Sequence, residues 1–170
     1  MSITTIPQTT IRPATESDFE AMLPVFLSAI TPEENYVFTT NASREDIFAY
    51  WFAPKITTYV IEVDRVIAGM AKLTPNFREL GSHVSNLCTV IDPNYQHQGI
   101  GKTLAQYCLE QAKLQGYQAV QLNLVVSTNK SAIAMWQKLG FSIIGTSPKA
   151  FKHKQHGYVD INIMHQFLSD

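Results

Sequence analysis

The residues best placed to do chemistry lie in one run, Val90-Ile-Asp-Pro-Asn-Tyr-Gln-His-Gln-Gly-Ile-Gly-Lys-Thr103. An apolar, β-branched stretch ends at Asp92-Pro93. A loop rich in glutamine and glycine follows, and then an amphipathic helical pattern. A strand, a glycine loop and a helix in that order aim backbone N–H groups at whatever sits before the helix. The first helical turn has unsatisfied donors and the positive end of the helix dipole, so it attracts an anion. Gly99 and Gly101 let a pyrophosphate come close to the backbone. Two familiar phosphate loops do not fit. A Walker A loop needs glycine where Gln96 stands, although Gly101-Lys102-Thr103 supplies its end. A dinucleotide fingerprint needs a third glycine where Leu104 stands.

Several elements must position this loop. Val84 to Ile91 reads as the central strand that feeds it, and Ile100 to Gln115 as the helix that follows. Leu104, Tyr107, Cys108 and Ala112 face inward on that helix. Upstream, Ile11 to Ala14 is a short strand that stops at proline. Thr15 caps a helix, with Asp18 completing an approximate capping box. Phe19, Met22, Leu23, Phe26 and Leu27 make its apolar face, and Pro24 is expected to kink or break it. Thr31 to Asn35 is a loop or a new helix start. Ser43 caps an aromatic-rich helix containing Phe48, Tyr50, Trp51 and Phe52.

Thr57 to Val63 and Val66 to Leu73 form a hairpin turned at Asp64-Arg65. Ala119 to Val126 is a strand, and Asn129 leads into a helix that ends before Gly140. Phe141 to Gly145 and Tyr158 to Met164 are the last strands. Lys149, Lys152, His153, Lys154 and His156 read as a solvated loop between them. The order is β-α-α-β-β-β-α-β-α-β-β.

The chain has 170 residues, 45% hydrophobic and 16% charged, which suits one globular domain over 1–170. A formal net charge of −1 provides no field toward nucleic acid or an anionic membrane. No apolar run is long enough to span a bilayer. Met1 to Pro7 lacks the pattern of a signal peptide. Two cysteines and no targeting segment make a reduced, cytoplasmic protein the expectation. No Cys/His spacing suggests a metal site.

Gln96-His97-Gln98-Gly99-Ile100-Gly101 resembles the Gln/Arg-x-x-Gly-x-Gly/Ala loop of the GNAT superfamily of acetyl-coenzyme A-dependent N-acyltransferases. Downstream, Asn129-Lys-Ser-Ala132 with Trp136, Gly140 and Phe141 resembles the segment after that family's second cofactor-contacting strand. The resemblance runs from about Val66 to Phe167. It implies an α/β (α+β) fold: a mixed, mostly antiparallel central sheet with two splayed parallel strands and helices on both faces. It implies acetyl-CoA as co-substrate, held by Gln96 and by the backbone of Gln98, Gly99, Ile100, Gly101, Lys102 and Thr103. Thr89, Val90 and Ile91 would meet the pantetheine arm, and Asn129 would also touch the cofactor. A backbone N–H near Val90 would be the oxyanion donor. The family often places a tyrosine acid where Trp136 stands, and an indole cannot replace it. Catalysis is therefore expected mainly from proximity and polarisation, with no dedicated acid.

Asn76-Phe77-Arg78, Ser82 to Asn86, Leu122 to Asn129, Trp136 and Gly157 to Asp160 resemble, more narrowly, the yeast-type N-acetyltransferases that act on proline analogues such as azetidine-2-carboxylate. That implies an acceptor site with Asn86 and Asn123 oriented to the amine. Strict alternation puts residues 121, 123 and 125 on one strand face. Asn129 is equally an N-cap. His83 reads either as a base or as a structural residue. Tyr36 and Phe77 read as pocket lining or as core.

Three functions stay open. One is acetyl transfer to a small amine, probed first with an amino acid or proline analogue. The second is transfer to a protein or peptide amine. The third is a non-catalytic acyl-CoA sensor. Few acidic residues cluster toward the acceptor side, which argues against a polycationic acceptor. The family resemblance alone suggests a homodimer.

Overall fold

The structure is a computed structural model describing residues 7–168. The segment read above for a targeting pattern lies outside the described residues, except Pro7. Seven strands form one sheet: β1 (Thr9–Pro13), β2 (Thr57–Val63), β3 (Val66–Pro75), β4 (Val84–Ile91), β5 (Ala119–Val126), β6 (Ser142–His153) and β7 (Gly157–Phe167). Their order across the sheet is β1-β2-β3-β4-β5-β7-β6. Every neighbouring pair is antiparallel except β4 and β5. Four helices cover it: α1 (Phe19–Ile30), α2 (Arg44–Phe52), α3 (Ile100–Leu114) and α4 (Lys130–Lys138).

Local chemistry sets most of these boundaries. Asp64 and Arg65 both take positive φ, 50° and 69°, and bring Val63 opposite Val66. A two-residue turn of that hand matches the twist of the strands it joins. Before α1, the Asp18 carboxylate accepts the Thr15 N–H at 2.8 Å, as a capping box requires. Ser43 Oγ accepts the Asp46 N–H at 3.0 Å and starts α2. The break expected at Pro24 does not occur. α1 runs unbroken to Ile30, with Pro24 and Glu20 both exposed. The carbonyl that loses its donor to proline is the one four residues back, on Glu20, where water can reach the side chain's face. Thr31–Asn35 is a loop and starts no helix.

The sheet separates two apolar cores because successive strand residues point to opposite faces. Val60, Met70 and Val90 pack with α1 and α2 around Phe26, Ile47 and Trp51. Tyr59, Ile61, Leu73 and Leu87 pack with α3 and α4 around Leu104, Cys108 and Trp136. Fully burying a side chain such as Leu104 contributes on the order of 2 kcal/mol. Among the described residues, no helix is long and apolar enough to cross a membrane.

The last hairpin is longer than expected. Lys149, Lys152 and His153 belong to β6, and Phe151 and His153 are buried. The lysines hide this from the sequence, because they alternate with inward residues on a strand already exposed along most of its length.

Candidate active site

β4 and β5 pair only from Val84 to Asn86, opposite Ala119 to Gln121. Beyond Asn86 the two parallel strands part. The register shows which backbone groups face the gap. Asn76 N–H bonds to Val84 O and Asp92 N–H to Ala68 O, and no shift interrupts the β3–β4 ladder between them. Even-numbered residues of β4 therefore spend their amides on β3. Leu87, Thr89 and Ile91 present theirs to the gap. This corrects the donor expected at Val90: its N–H points to β3, and its side chain is fully buried under α1 and α2. The Thr89 carbonyl accepts the Tyr36 hydroxyl at 3.2 Å. β5 carries a register shift between Leu122 and Val125. Val125 consequently joins Leu122 in the α3/α4 core and does not share a face with Asn123.

At one end of the gap lies the loop into α3. Asp92 Oδ1 accepts the Asn94 N–H at 2.8 Å and shapes a tight turn over Pro93–Tyr95. His97 and Gly99 take positive φ, 59° and 80°. The buried Ile100 side chain pins the first turn of α3 to the core. Gly101 and Lys102 open that helix ahead of any intrahelical partner for their amides. Thr103 differs, because its N–H and hydroxyl both bond to Gly99 O at 3.0 Å. It is therefore not a free donor. A Cβ on Gly101 would sit 3.5 Å from Ile91 and 3.8 Å from Met135, an ordinary contact. Glycine leaves that space to a ligand. Asn129 Oδ1 caps α4 by accepting the Ala132 N–H at 3.2 Å.

A cavity of about 930 Å³ runs from this loop to the opposite face of the sheet. Gln96, His97, Gly99, Gly101, Lys102, Asn129, Met135 and Trp136 line the loop end. Gln98 turns away and donates to Asn94 O at 3.1 Å. The far end is lined by Tyr36, Tyr50, Asn86, Cys88, Asn123, His153 and His156. His83 and Phe77 are exposed and outside this lining, which corrects their assignment to the acceptor pocket. Phe77 instead packs against the turn at Gly81.

The amides near the gap form a chain. Gln121 Nε2 donates to Asn123 Oδ1 at 2.8 Å, and Asn123 Nδ2 donates to Asn76 Oδ1 at 2.6 Å. Asn86 Nδ2 reaches Gln121 O at 3.4 Å. Asn76 Nδ2 ends the chain buried and unpaired. Behind the wall, Lys72 is 6% exposed. Its Nζ donates to Tyr50 O at 2.7 Å and lies 3.1 Å from the Tyr50 ring centroid. Burial lowers its pKa to about 8, against a smaller rise from Cys88. Burial raises the phenols of Tyr36 and Tyr50, each with help from Cys88. Tyr50 Oη donates to Cys88 Sγ at 3.4 Å.

The acetyltransferase (GNAT) family profile matches residues 23–141, most of the chain. The chain belongs to the GNAT acetyltransferase family. N-acetyltransferase aca1 of Schizosaccharomyces pombe is 33% identical over 112 residues, which cover 65% of this chain and 54% of that one. The bS18-alanine N-acetyltransferase of Escherichia coli is 35% identical over 52 residues, 31% of this chain and 34% of that one. The chain thus spans about half or less of the curated relatives it matches. A GCN5-related N-acetyltransferase from Kribbella flavida superposes with a TM-score of 0.88 at 32% identity, covering 94% and 97% of the two chains. In this GNAT, Trp136 occupies the helix position read above as an acid in relatives. It is buried, with its ring 5.2 Å from that of Phe141. The sequence missed His153 and His156. The one signal available was Phe151-x-His153, an alternation typical of a half-buried strand.

Proposed function

We propose that this GNAT transfers an acetyl group from acetyl-CoA to the amine of a small molecule, first of all an amino acid or a proline analogue. The observation that carries the reading is the gap between β4 and β5. It joins an anion-binding helix start on one side to a polar, amide-lined chamber on the other, within one cavity. The residues suit the cofactor: free backbone donors at the start of α3, room at Gly101, and unpaired strand backbone along β4. Acetyl-CoA supplies an activated thioester when it is bound there.

The protein's own groups then do four things. The amides of Gly101 and Lys102 hold phosphate. The gap-facing backbone of Leu87, Thr89 and Ile91 aligns the pantetheine arm as an added strand. The Thr89 N–H is the donor best placed for a developing oxyanion, since its carbonyl is already taken by Tyr36. Asn86 and Asn123 orient the amine from the opposite side. No acid is assigned to the departing thiolate. None is needed, because a thiol is a far stronger acid than an amine: as the C–N bond forms and the C–S bond breaks, the thiolate would leave unaided and the proton given up by the amine would pass to it.

A peptide acceptor is the second reading, supported by the likeness to the bS18-alanine enzyme. It needs an open groove. Against it, the β6–β7 arm touches the loop after α1, where Lys154 N–H donates to Glu33 O at 3.3 Å. We also infer a reducing, cytoplasmic setting from two free cysteines, one of them fully buried. A homodimer is proposed on the family resemblance alone, and light scattering would test it.

The test is thiol release from acetyl-CoA across amino acids, proline analogues, polyamines and short peptides. Turnover on azetidine-2-carboxylate supports the narrower reading. Turnover on peptides alone moves the function to protein modification. Silence with intact cofactor binding leaves an acyl-CoA sensor.

A further inference from the structure

The arm that closes the acceptor chamber is built around a histidine with an assigned proton. The β6–β7 ladder shifts register between Ser147 and Phe151. Lys149 sits there at φ 50°, with its N–H bonded to Asp160 Oδ1 at 2.9 Å. An irregularity of this kind bends and twists a hairpin. Beyond it the arm reaches the loop after α1, through the Lys154–Glu33 bond described above.

His153 stands in that arm, 6% exposed, with Phe151 and His156 at ring distances of 6.5 and 4.6 Å. Its Nδ1 accepts two backbone N–H groups, from Gln155 at 3.1 Å and His156 at 3.3 Å. An acceptor nitrogen in a neutral imidazole leaves the proton on the other one, so Nε2 is a donor. Among the described residues Nε2 has no protein acceptor, and the ring lines the cavity. Nε2 is not sealed in the interior; it opens on the cavity, where a ligand oxygen can take the place of water as its acceptor. Lys152 and Lys154 flank it in sequence, both exposed, and favour an anion nearby.

We propose that His153 is a specificity-determining residue whose Nε2–H donates to a carboxylate or carbonyl oxygen of the acceptor, so that the enzyme selects amines carrying such an oxygen close to nitrogen. This rests on the acetyl-transfer reading above. It adds the substrate class and a residue contributed by the arm.

Two substitutions separate the donor from the fold. In His153→Asn, Oδ1 can still accept from Gln155 and His156, but nothing reaches as far as Nε2. In His153→Gln, Nε2 returns near the original donor position. Azetidine-2-carboxylate and azetidine form the matched probe pair. In the wild type the carboxylate should be preferred in kcat/KM by tenfold or more. His153→Asn should lose most of that preference through KM, with unchanged acetyl-CoA affinity and melting temperature, and His153→Gln should retain it. Unchanged preference in His153→Asn overturns the proposal. A readout independent of turnover is ¹⁵N-edited NMR of the imidazole, with coenzyme A bound. It should show the Nε2–H tautomer, and a shift on adding azetidine-2-carboxylate but not azetidine. A shift without any turnover overturns the transfer reading and leaves the binding inference standing. If amines are acetylated but both the shift and the selectivity change are absent, this inference falls and the transfer reading stands.

Discussion

The two ends of the cavity are made differently. At the loop end, the groups proposed to hold phosphate are backbone amides of one contiguous segment, Val84 to Leu114, with Asn129, Met135 and Trp136 beside them. The chamber end is assembled from the loop after α1, from α2, from β4 and β5, and from an arm near the C-terminus, and it works through side chains. Backbone donors at a helix start have fixed geometry whatever the neighbouring side chains are. Side-chain donors must be held by packing and by further hydrogen bonds, as the amides of Asn76, Asn123 and Gln121 hold each other. The first end therefore tolerates side-chain change and fails on steric intrusion. The second tolerates steric change and fails on lost partners.

The largest effect should come from intrusion. Gly101→Asp puts a charge and a side chain where phosphate is proposed to bind, and acetyl-CoA affinity by calorimetry should fall at least 100-fold. Gly101→Ala meets only ordinary contacts within the protein, so the folded state should keep its melting temperature. Unchanged affinity in the aspartate variant would remove the loop from the site.

The chamber wall should be sensitive to pH through Lys72. Its folded pKa of about 8 lies below the ordinary lysine value, because burial penalises the charge. Between about pH 8 and 10.5 the unfolded chain binds more protons than the folded one, so stability rises with pH in that window. Below it the penalty is fully present. The ceiling is about 3 kcal/mol. Wild-type stability relative to Lys72→Met should therefore climb by roughly 2 kcal/mol from pH 7.5 to 10, measured by urea unfolding at each pH. A flat difference would mean that Lys72 is solvated.

A smaller effect is expected at Asn123. It is exposed, so Asn123→Ala should change stability by no more than about 0.5 kcal/mol. The KM for the acceptor should rise about tenfold, near 1.4 kcal/mol, while acetyl-CoA affinity holds. A matching loss of cofactor affinity would merge the two ends into one site. The smallest effect belongs to Trp136→Tyr, whose activity should stay within about tenfold. A much larger gain would show that protonation of the thiolate limits the natural enzyme.

The parts legible in the sequence share a local cause. The loop into α3, the caps at Thr15, Ser43 and Asn129, and the turn at Asp64-Arg65 each depend on residues within a few positions of one another. The errors share a cause too. Pro24 breaks no helix because it lies on the solvent face of α1. Val125 leaves the face of Asn123 because β5 carries an irregularity against β7, and strict alternation cannot foresee one. Val90 points away from the gap because donor parity on β4 is set by the β3 register. Phe77 and His83 fall outside the cavity because the turn at Glu79–Gly81 carries them to the surface.

By itself the sequence determined the order of elements, the two-sided apolar pattern and the strand, glycine loop and helix start around Gly99, because periodicity and helix-end chemistry are written in neighbouring residues. Only the tertiary structure decided which amides of β4 face the gap, that Asn76 joins Asn123, and that His153 folds back onto the chamber. Those depend on strand register and on a bent hairpin meeting a loop more than a hundred residues away, and no short stretch of sequence encodes either one.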